Sequence, residues 1–243
     1  MRTFVVGDIH GGLKALVQVL NALELKHGDT LIFVGDYVDG WSESAQVIQF
    51  LMERSQKMNC IFIKGNHDVW CEAWLRDGEV SPVWYMHGGK ETMESYALFT
   101  EDQKQQHLTF FENLKPYHID EANRLFLHAG FTSMHGVEKE VFQSVLYFDR
   151  TLWEMALTMD EGIEKDSKLY PNRLKHYHEI YIGHTPTLNY GVTVPMHAVN
   201  VWNIDTGAAF TGKLSAMDID TKAIVQSSPL PDLYPNEKGR NRD

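Results

Sequence analysis

Five short apolar runs, each delivering polar side chains at its end, constrain this chain more than any other feature. Phe4-Val5-Val6-Gly7 leads into Asp8 and His10, and Thr30-Leu31-Ile32-Phe33-Val34-Gly35 leads into Asp36 and Asp39. Cys60-Ile61-Phe62-Ile63-Lys64-Gly65 runs into Asn66-His67-Asp68. Arg124-Leu125-Phe126-Leu127 ends in His128, and Glu179-Ile180-Tyr181-Ile182-Gly183 ends in His184. Runs of this length, rich in β-branched and aromatic residues and punctuated by glycine, read as buried strands. In open sheets with helical crossovers, sites form just beyond the carboxyl ends of the strands. Strand ends that carry only Asp, His and Asn are therefore expected to converge into one site built from the whole chain.

The segments between these runs support a parallel arrangement. Leu13, Leu16, Val17 and Leu20 lie on one face of a helix, and Val47, Ile48, Leu51 and Met52 on one face of the next, for which Ser42 or Ser44 can serve as cap. Residues 1–68 thus read strand, helix, strand, helix, strand, with right-handed crossovers. Residues 69–116 are helix-rich and aromatic, and 117–130 read as another strand pair or hairpin. Helical periodicity returns at 137–159, and 160–178 is polar and loop-like. The runs near 198–204, 214–219 and 223–225 read as a closing antiparallel meander. The resulting expectation is one α/β domain over residues 1–228, followed by a tail at 229–243 with three prolines and little order.

A hydrophobic share of 43% with 23% charged residues is ordinary for a globular enzyme. The net charge of −11 argues against nucleic acid as a partner, because that affinity rests on Lys and Arg meeting phosphates. The two cysteines, Cys60 and Cys71, make neither a zinc spacing nor a disulfide framework. No apolar run approaches the roughly 20 residues that span a bilayer. With no signal-peptide pattern before the first strand, the expected setting is the cytoplasm.

The polar residues at the strand ends form a donor set. On an extended backbone, Asp8 and His10 would project to one face and grip one cation. Asp36, from the neighbouring strand, could bridge it to a second cation held by Asn66, His128 and His184. Mixed nitrogen and oxygen donors without thiolate suit Mn²⁺, Fe, Zn²⁺ or Co²⁺. Two such ions about 3.5–4 Å apart are a recurrent arrangement for phosphoester hydrolysis. Asp29, Asp205 and the histidines at 27, 87, 107, 118, 135, 176, 178 and 197 are read as ordinary turn, surface or core residues.

Gly7-Asp8-Ile9-His10-Gly11, Gly35-Asp36-Tyr37-Val38-Asp39 and Gly65-Asn66-His67-Asp68, in this order, resemble the signature of the calcineurin-like metallophosphoesterases. The similarity is greatest to the phosphoprotein phosphatase branch, in particular its bacterial and phage lambda serine/threonine phosphatases. Leu127-His128-Ala129-Gly130, Gly183-His184-Thr185-Pro186 and Asp205-Thr206-Gly207-Ala208 extend the resemblance over roughly residues 3–225. Pro186 stands where nuclease and phosphodiesterase branches carry a second histidine, so the nuclease reading recedes.

The resemblance implies a central β-sandwich of mixed sheets flanked by helices, with a dimetal site at one edge. It places Asp8 and His10 on the first metal, Asp36 between the two, and Asn66, His128 and His184 on the second. Mn²⁺ is the foremost metal, with Fe, Zn, Co and Ni as alternatives. A metal-bridging hydroxide attacks phosphorus directly, His67 protonates the leaving oxygen, and Asp39 orients His67. Arg150 matches a phosphate-binding arginine, Asn66 can also face the phosphate, and Lys64 can add charge nearby. Gly40 departs from the pattern, because the family carries a phosphate-gripping arginine there, and an arginine fork is not easily replaced.

The foremost functional expectation is a phosphomonoesterase acting on phosphorylated proteins. The alternative is a symmetrical dinucleoside polyphosphate hydrolase or another small-molecule phosphatase, for which Trp41, Trp70, Trp74, Trp84 and Tyr85 offer aromatic surface. A third reading, an inactive phosphatase-like binding protein, conflicts with retention of the whole donor set and of His67. None of the three requires nucleic acid or a membrane as partner.

Overall fold

The computed structural model describes residues 1–241. In the amino-terminal part β1 (Thr3–Val6), α1 (Leu13–Ala22), β2 (Thr30–Phe33), α2 (Ser44–Ser55) and β3 (Asn59–Phe62) alternate as expected. Four helices follow: α3 (Asn66–Asp77), α4 (Pro82–Trp84), α5 (Lys90–Ser95) and α6 (Glu101–Glu112). The hairpin β4 (Tyr117–Ile119) and β5 (Arg124–Leu127) opens the second half, which continues through α7 (Val145–Phe148), α8 (Thr151–Leu157), α9 (Asn172–Lys175) and β6 (Glu179–Ile182). It closes with β7 (Met196–Ala198), β8 (Val201–Asn203), β9 (Ser215–Asp218), β10 (Ile224–Gln226) and α10 (Leu230–Leu233).

The strands form two five-stranded mixed sheets, in the orders β10-β9-β1-β2-β3 and β4-β5-β6-β8-β7. β1, β2 and β3 run parallel in the first sheet, and β5, β6 and β8 in the second. Side chains alternate along each strand, and both faces are apolar, as buried parallel strands require. Val5, Ile32 and Ile63 pack between the sheets against Phe126 and Tyr181, whose rings stack at 4.8 Å. Phe4, Val6, Leu31 and Phe33 face outward onto α1 and α2. Leu125, Leu127, Ile180 and Ile182 face the other way, onto Leu152, Trp153 and Leu174. The result is a central β-sandwich with helices on both outer faces.

Several local expectations are corrected. The buried face of α1 is Ala15, Leu16, Val19 and Leu20, rotated about one position from the face read in the sequence. Neither Ser42 nor Ser44 caps α2: Glu43 is the N-cap, without a side-chain cap bond, and the Ser44 hydroxyl instead accepts from Asp39 N. The helix read over 137–159 is broken, because Asp149 stops α7 and accepts from the first amides of α8 at 3.0 and 3.1 Å. The closing meander is divided between sheets. The β7–β8 hairpin extends the second, with β8 parallel to β6, and the β9–β10 hairpin extends the first, with β9 antiparallel to β1.

The segment expected to be a loose tail is packed as far as it is described, while residues 242–243 lie outside the described residues. Leu230 and Tyr234 are buried, and the Tyr234 ring stacks on Trp41 at 5.1 Å. No helix among the described residues is long and apolar enough to cross a membrane.

Candidate metal and active site

The five strand ends open along one edge of the sandwich, and their polar residues meet there. The backbone reaches this arrangement by bending rather than extending. His10, Asp36, Asp39 and His184 all have left-handed φ values, of 52°, 53°, 73° and 67°. For residues other than glycine such conformations cost on the order of 1–3 kcal/mol each and persist where the surroundings over-determine them. The amides of Ile9 and His10 both donate to the Asp36 carbonyl, at 3.0 and 2.9 Å, which ties the end of β1 to the end of β2.

Asp68 is the second tie. Its Oδ2 accepts from Asp36 N at 2.9 Å and Gly65 N at 2.8 Å, and its Oδ1 accepts from Tyr37 N at 3.0 Å. One buried carboxylate thus holds the loop after β2 against the start of α3. The first turn of α3 points at the cluster: His67 N donates to Asp36 Oδ1 at 3.0 Å. A helix N-terminus favours negative charge, which suits the Asp36 carboxylate there.

Asp36 stands at the centre. Its carboxylate belongs to one potential cation-binding group with His10 and His67, and to another with His128 and His184. His10 Nε2 lies 3.6 Å from Asp36 Oδ2 and 3.9 Å from Asp8 Oδ2, and His128 Nε2 lies 3.4 Å from Asp36 Oδ2. Asn66 Oδ1 lies 3.1 Å from His128 Nε2 and 2.9 Å from His184 Nδ1. The outward ring nitrogens are tethered to backbone carbonyls, His10 Nδ1 to Asp39 O at 2.9 Å and His128 Nδ1 to Val34 O at 2.8 Å. Such tethers set the ring orientation and leave Nε2 facing inward.

The electrostatics fit divalent cations. Asp8, Asp36 and Asp205 are buried together, and Asp8 Oδ1 has no hydrogen-bond partner. Burial, and then the neighbouring Asp205, raises the Asp8 carboxyl well above its ordinary range, while burial and Asp36 push Asp205 up to about 6. Burial opposes charge on His128 as well, but the adjacent Asp36 outweighs it and raises that imidazole to about 10. Orphaned buried carboxylate oxygen, inward imidazole nitrogens and an Asn carbonyl form a donor set suited to first-row divalent ions. Asp8, His10, Asp36, Asn66, His128 and His184 would hold them. Gly183 admits the Asp8 carboxylate, since a Cβ at that position would stand 2.0 Å from Asp8 Oδ1.

Beside this cluster His67 Nδ1 and Asp39 Oδ2 are 2.6 Å apart. Asp39 is fully buried and also accepts from Trp84 Nε1 at 2.7 Å and from the Thr92 hydroxyl at 2.6 Å. Burial pushes Asp39 up to about 8 and holds His67 well below its usual value. The pair therefore keeps one proton between them near neutrality. With Nδ1 engaged by Asp39, Nε2 is the ring nitrogen left for the cavity.

The cavity over the cluster is lined by His10, Asp36, Asn66, His67, Arg150, His184, Pro186, Asn189, Asp205, Phe210 and Arg240. Arg150, in the break between α7 and α8, reaches it with Nε 3.4 Å from His184 Nε2. Lys64 does not: it forms an ion pair with Glu72 and is absent from the lining, contrary to the charge-lending part expected of it. Trp41 is also not available to a substrate ring, being fully buried with Nε1 donating to Ala208 O at 2.7 Å. Trp84 is buried, Trp74 packs on it and on Tyr96, and Trp70 lies against His67 and Phe148, so only Tyr85 of that aromatic set is exposed.

Two charged lining residues escaped the sequence reading, as did Asn189 and Phe210. Asp205 was read as a turn residue, although β8 runs parallel to β6 and opens at the same edge. Its sequence signal is the Ile204-Asp205-Thr206-Gly207 run, which repeats the apolar-then-acidic pattern of the other strand ends. Arg240 lies in the segment read as loosely ordered, where no periodicity marks it.

The chain belongs to the calcineurin-like phosphoesterase family, whose pattern it matches over residues 1–209. Its metal-binding phosphoesterase class accords with the donor set just described. Among characterised relatives, it is 28% identical to an asymmetrical bis(5′-nucleosyl)-tetraphosphatase, PrpE, of Oceanobacillus iheyensis, with 93% of this chain and 91% of the relative aligned. It is 30% identical to the Bacillus thuringiensis PrpE (95% and 96% covered) and 23% identical to a symmetrical bis(5′-nucleosyl)-tetraphosphatase of Neisseria meningitidis (93% and 95% covered). In fold it is similar to the crystal structure of a candidate diadenosine tetraphosphatase, with a TM-score of 0.62 and 20% identity over 93% of this chain and 92% of the other. It is also similar to a serine/threonine phosphatase of Saccharomyces cerevisiae, with a TM-score of 0.60 and 16% identity over 94% and 80%.

Proposed function

We propose that this chain is a metal-dependent hydrolase of dinucleoside polyphosphates, cleaving a phosphoanhydride bond of a bis(5′-nucleosyl)-tetraphosphate. The observation that carries this reading is the end-to-end similarity, at 28–30% identity, to proteins named for that activity. Likeness to the yeast serine/threonine phosphatase extends to the fold alone. The weight thus moves from a phosphoprotein substrate, the foremost expectation from sequence, to its alternative. The asymmetrical relatives also widen that alternative, which named the symmetrical type.

In this reading Asp8, His10, Asp36, Asn66, His128 and His184 would hold the divalent ions. Bound there, such ions would supply Lewis acidity and charge neutralisation for displacement at phosphorus. Arg150 grips a phosphate beside His184, with Asn66 at its other side. His67 presents Nε2–H to the leaving phosphate oxygen, and Asp39, fixed by Trp84 and Thr92, holds the ring in that orientation. An anhydride leaving group is itself a phosphate, with a second pKa of about 6, so it needs less help from a proton than a serine or threonine alkoxide does.

The test is turnover by metal-stripped protein reloaded with Mn²⁺, offered diadenosine tetraphosphate, a phosphothreonine peptide and a phosphotyrosine peptide. The expected result is preference for the dinucleotide, with two ADP marking symmetrical and AMP plus ATP asymmetrical cleavage. His67→Ala should lower that turnover toward the smaller end of the roughly 10²–10⁴-fold range of general acid–base catalysis. Faster phosphate release from a peptide, or no turnover of the dinucleotide, would overturn the reading.

A further inference from the structure

The segment after α10 is strapped across the site. Tyr234 stacks on Trp41, accepts from Lys14 N at 2.9 Å and donates to the Glu43 carboxylate. Glu237 accepts from Ser42 N at 3.0 Å and from its hydroxyl at 2.8 Å, and Arg240 N donates to Ala209 O at 2.8 Å. These ties carry the Arg240 side chain into the cavity that Asp36, His67 and Arg150 line.

Its route passes over Gly40. A Cβ on Gly40 would stand 3.2 Å from Arg240 Cγ, and the glycine's φ of 127° is one that other residues rarely adopt. The guanidinium lies 5.3 Å above the Phe210 ring and 3.4 Å from His87 Nδ1. Its Nε is buried without a hydrogen-bond partner, and among the described residues it forms no ion pair with a carboxylate. Arg240 enters over Gly40 and beside Phe210 and His87, whereas Arg150 lies 3.4 Å from His184 Nε2, so the two arginines reach the cavity from different places. An arginine fork that faces a cavity in this way is suited to grip an oxyanion such as phosphate.

We infer that Arg240 is a substrate-phosphate-binding residue, delivered by the carboxyl-terminal strap into the space that Gly40 leaves open beside His10 and His67. The inference rests on the phosphohydrolase reading above and deepens it. Two guanidinium groups facing one cavity supply donors for several phosphate oxygens. Gly40 leaves that space open, and an arginine distant in sequence occupies it.

Inorganic phosphate is the probe, titrated calorimetrically into full-length Mn²⁺-loaded protein, with Mn²⁺ affinity measured alongside. Arg240→Ala should weaken phosphate binding by about tenfold or more, as expected for losing charge-assisted hydrogen bonds, without weakening Mn²⁺ binding. Arg240→Lys, which keeps the charge but not the fork, should fall between. Free guanidinium ion should restore phosphate binding, and lower the KM for diadenosine tetraphosphate, in Arg240→Ala but not in the unmodified protein. Unchanged phosphate binding in Arg240→Ala overturns the inference while leaving the phosphohydrolase reading standing. Failure of the unmodified protein to bind phosphate or turn over the dinucleotide overturns both. Should Arg240→Ala also lose Mn²⁺, the other arms decide: a Lys variant that binds phosphate as tightly as the unmodified protein, or no recovery with guanidinium, refutes the role.

Discussion

Asp68 offers the sharpest test of how the site is held, because its three partners give an ordered series of effects. Its carboxylate accepts from Asp36 N, Gly65 N and Tyr37 N at 2.8–3.0 Å, all buried. Asp68→Ala strands three buried donors. At about 1–3 kcal/mol per unsatisfied group, with part of the loss relieved by water entering the space left behind, the expected destabilisation is on the order of 3–5 kcal/mol. Asp68→Asn behaves differently, since Oδ2 serves two of the donors and Oδ1 one. An amide turned to keep its oxygen at the Oδ2 position retains Asp36 N and Gly65 N and sets its NH₂ against Tyr37 N. The expected cost is then one bond and one donor–donor contact, roughly half that of the alanine change. The assay is equilibrium urea unfolding of metal-free protein at pH 8, above the value of about 7 to which burial and Asp36 raise this carboxyl. Because the same bonds keep Asp36 at its φ of 53°, Mn²⁺ affinity should fall in the same order, Ala more than Asn. An alanine variant within about 1 kcal/mol of the parent, or an asparagine variant less stable than the alanine one, would refute the reasoning.

Two further outcomes follow from the site's geometry and charge. Metal uptake should release protons, because His128 keeps its proton up to about 10 while the site is metal-free and must lose it to become a ligand. Lower pH therefore favours the proton over the metal, and Mn²⁺ affinity should drop by about tenfold per pH unit for each proton released. Titrations in buffers of different ionisation enthalpy measure this, and pH-independent affinity would contradict it. Gly183→Ala would put a methyl group 2.0 Å from Asp8 Oδ1. It should cost the protein its metal affinity before its fold, and a variant with normal Mn²⁺ binding would show that Asp8 takes no part in holding the ion.

The order of strands and crossovers in residues 1–68, the β4–β5 hairpin and the convergence of strand ends were legible because each rests on local pattern. A buried parallel strand must be apolar on both faces, and its end must be punctuated by glycine where the chain turns into the site. The coarse contents of the site followed from the same motifs, since Asp8, His10, Asp36, Asn66, His67, Asp39, His128 and His184 all stand at such ends. Arg150 was legible through resemblance, and the kink that aims it was not. The break at Asp149 depends on a carboxylate capping the next helix, and helical periodicity runs through that point undisturbed.

Other features belong to the tertiary structure alone. The division of β7–β8 and β9–β10 between two sheets depends on which edge each hairpin meets, and edges are not written in alternating apolar residues. Lys64 is claimed by Glu72 one helical segment away, and Trp41 by Tyr234 from the far end of the chain. The left-handed backbone at His10, Asp36 and His184 exists because neighbouring strands and Asp68 supply the bonds that compensate its strain. Arg240 shows the limit most clearly. A prolyl, polar, mixed-charge segment lacks the periodic signal of an element that builds its own core. It becomes ordered by borrowing one, through Leu230 and Tyr234 laid on surfaces that the rest of the chain has already folded. Local pattern carries the phosphoesterase class and the convergence of polar side chains at the strand ends. Which cation faces the opening at Gly40 is set instead by contacts between residues that no local pattern relates.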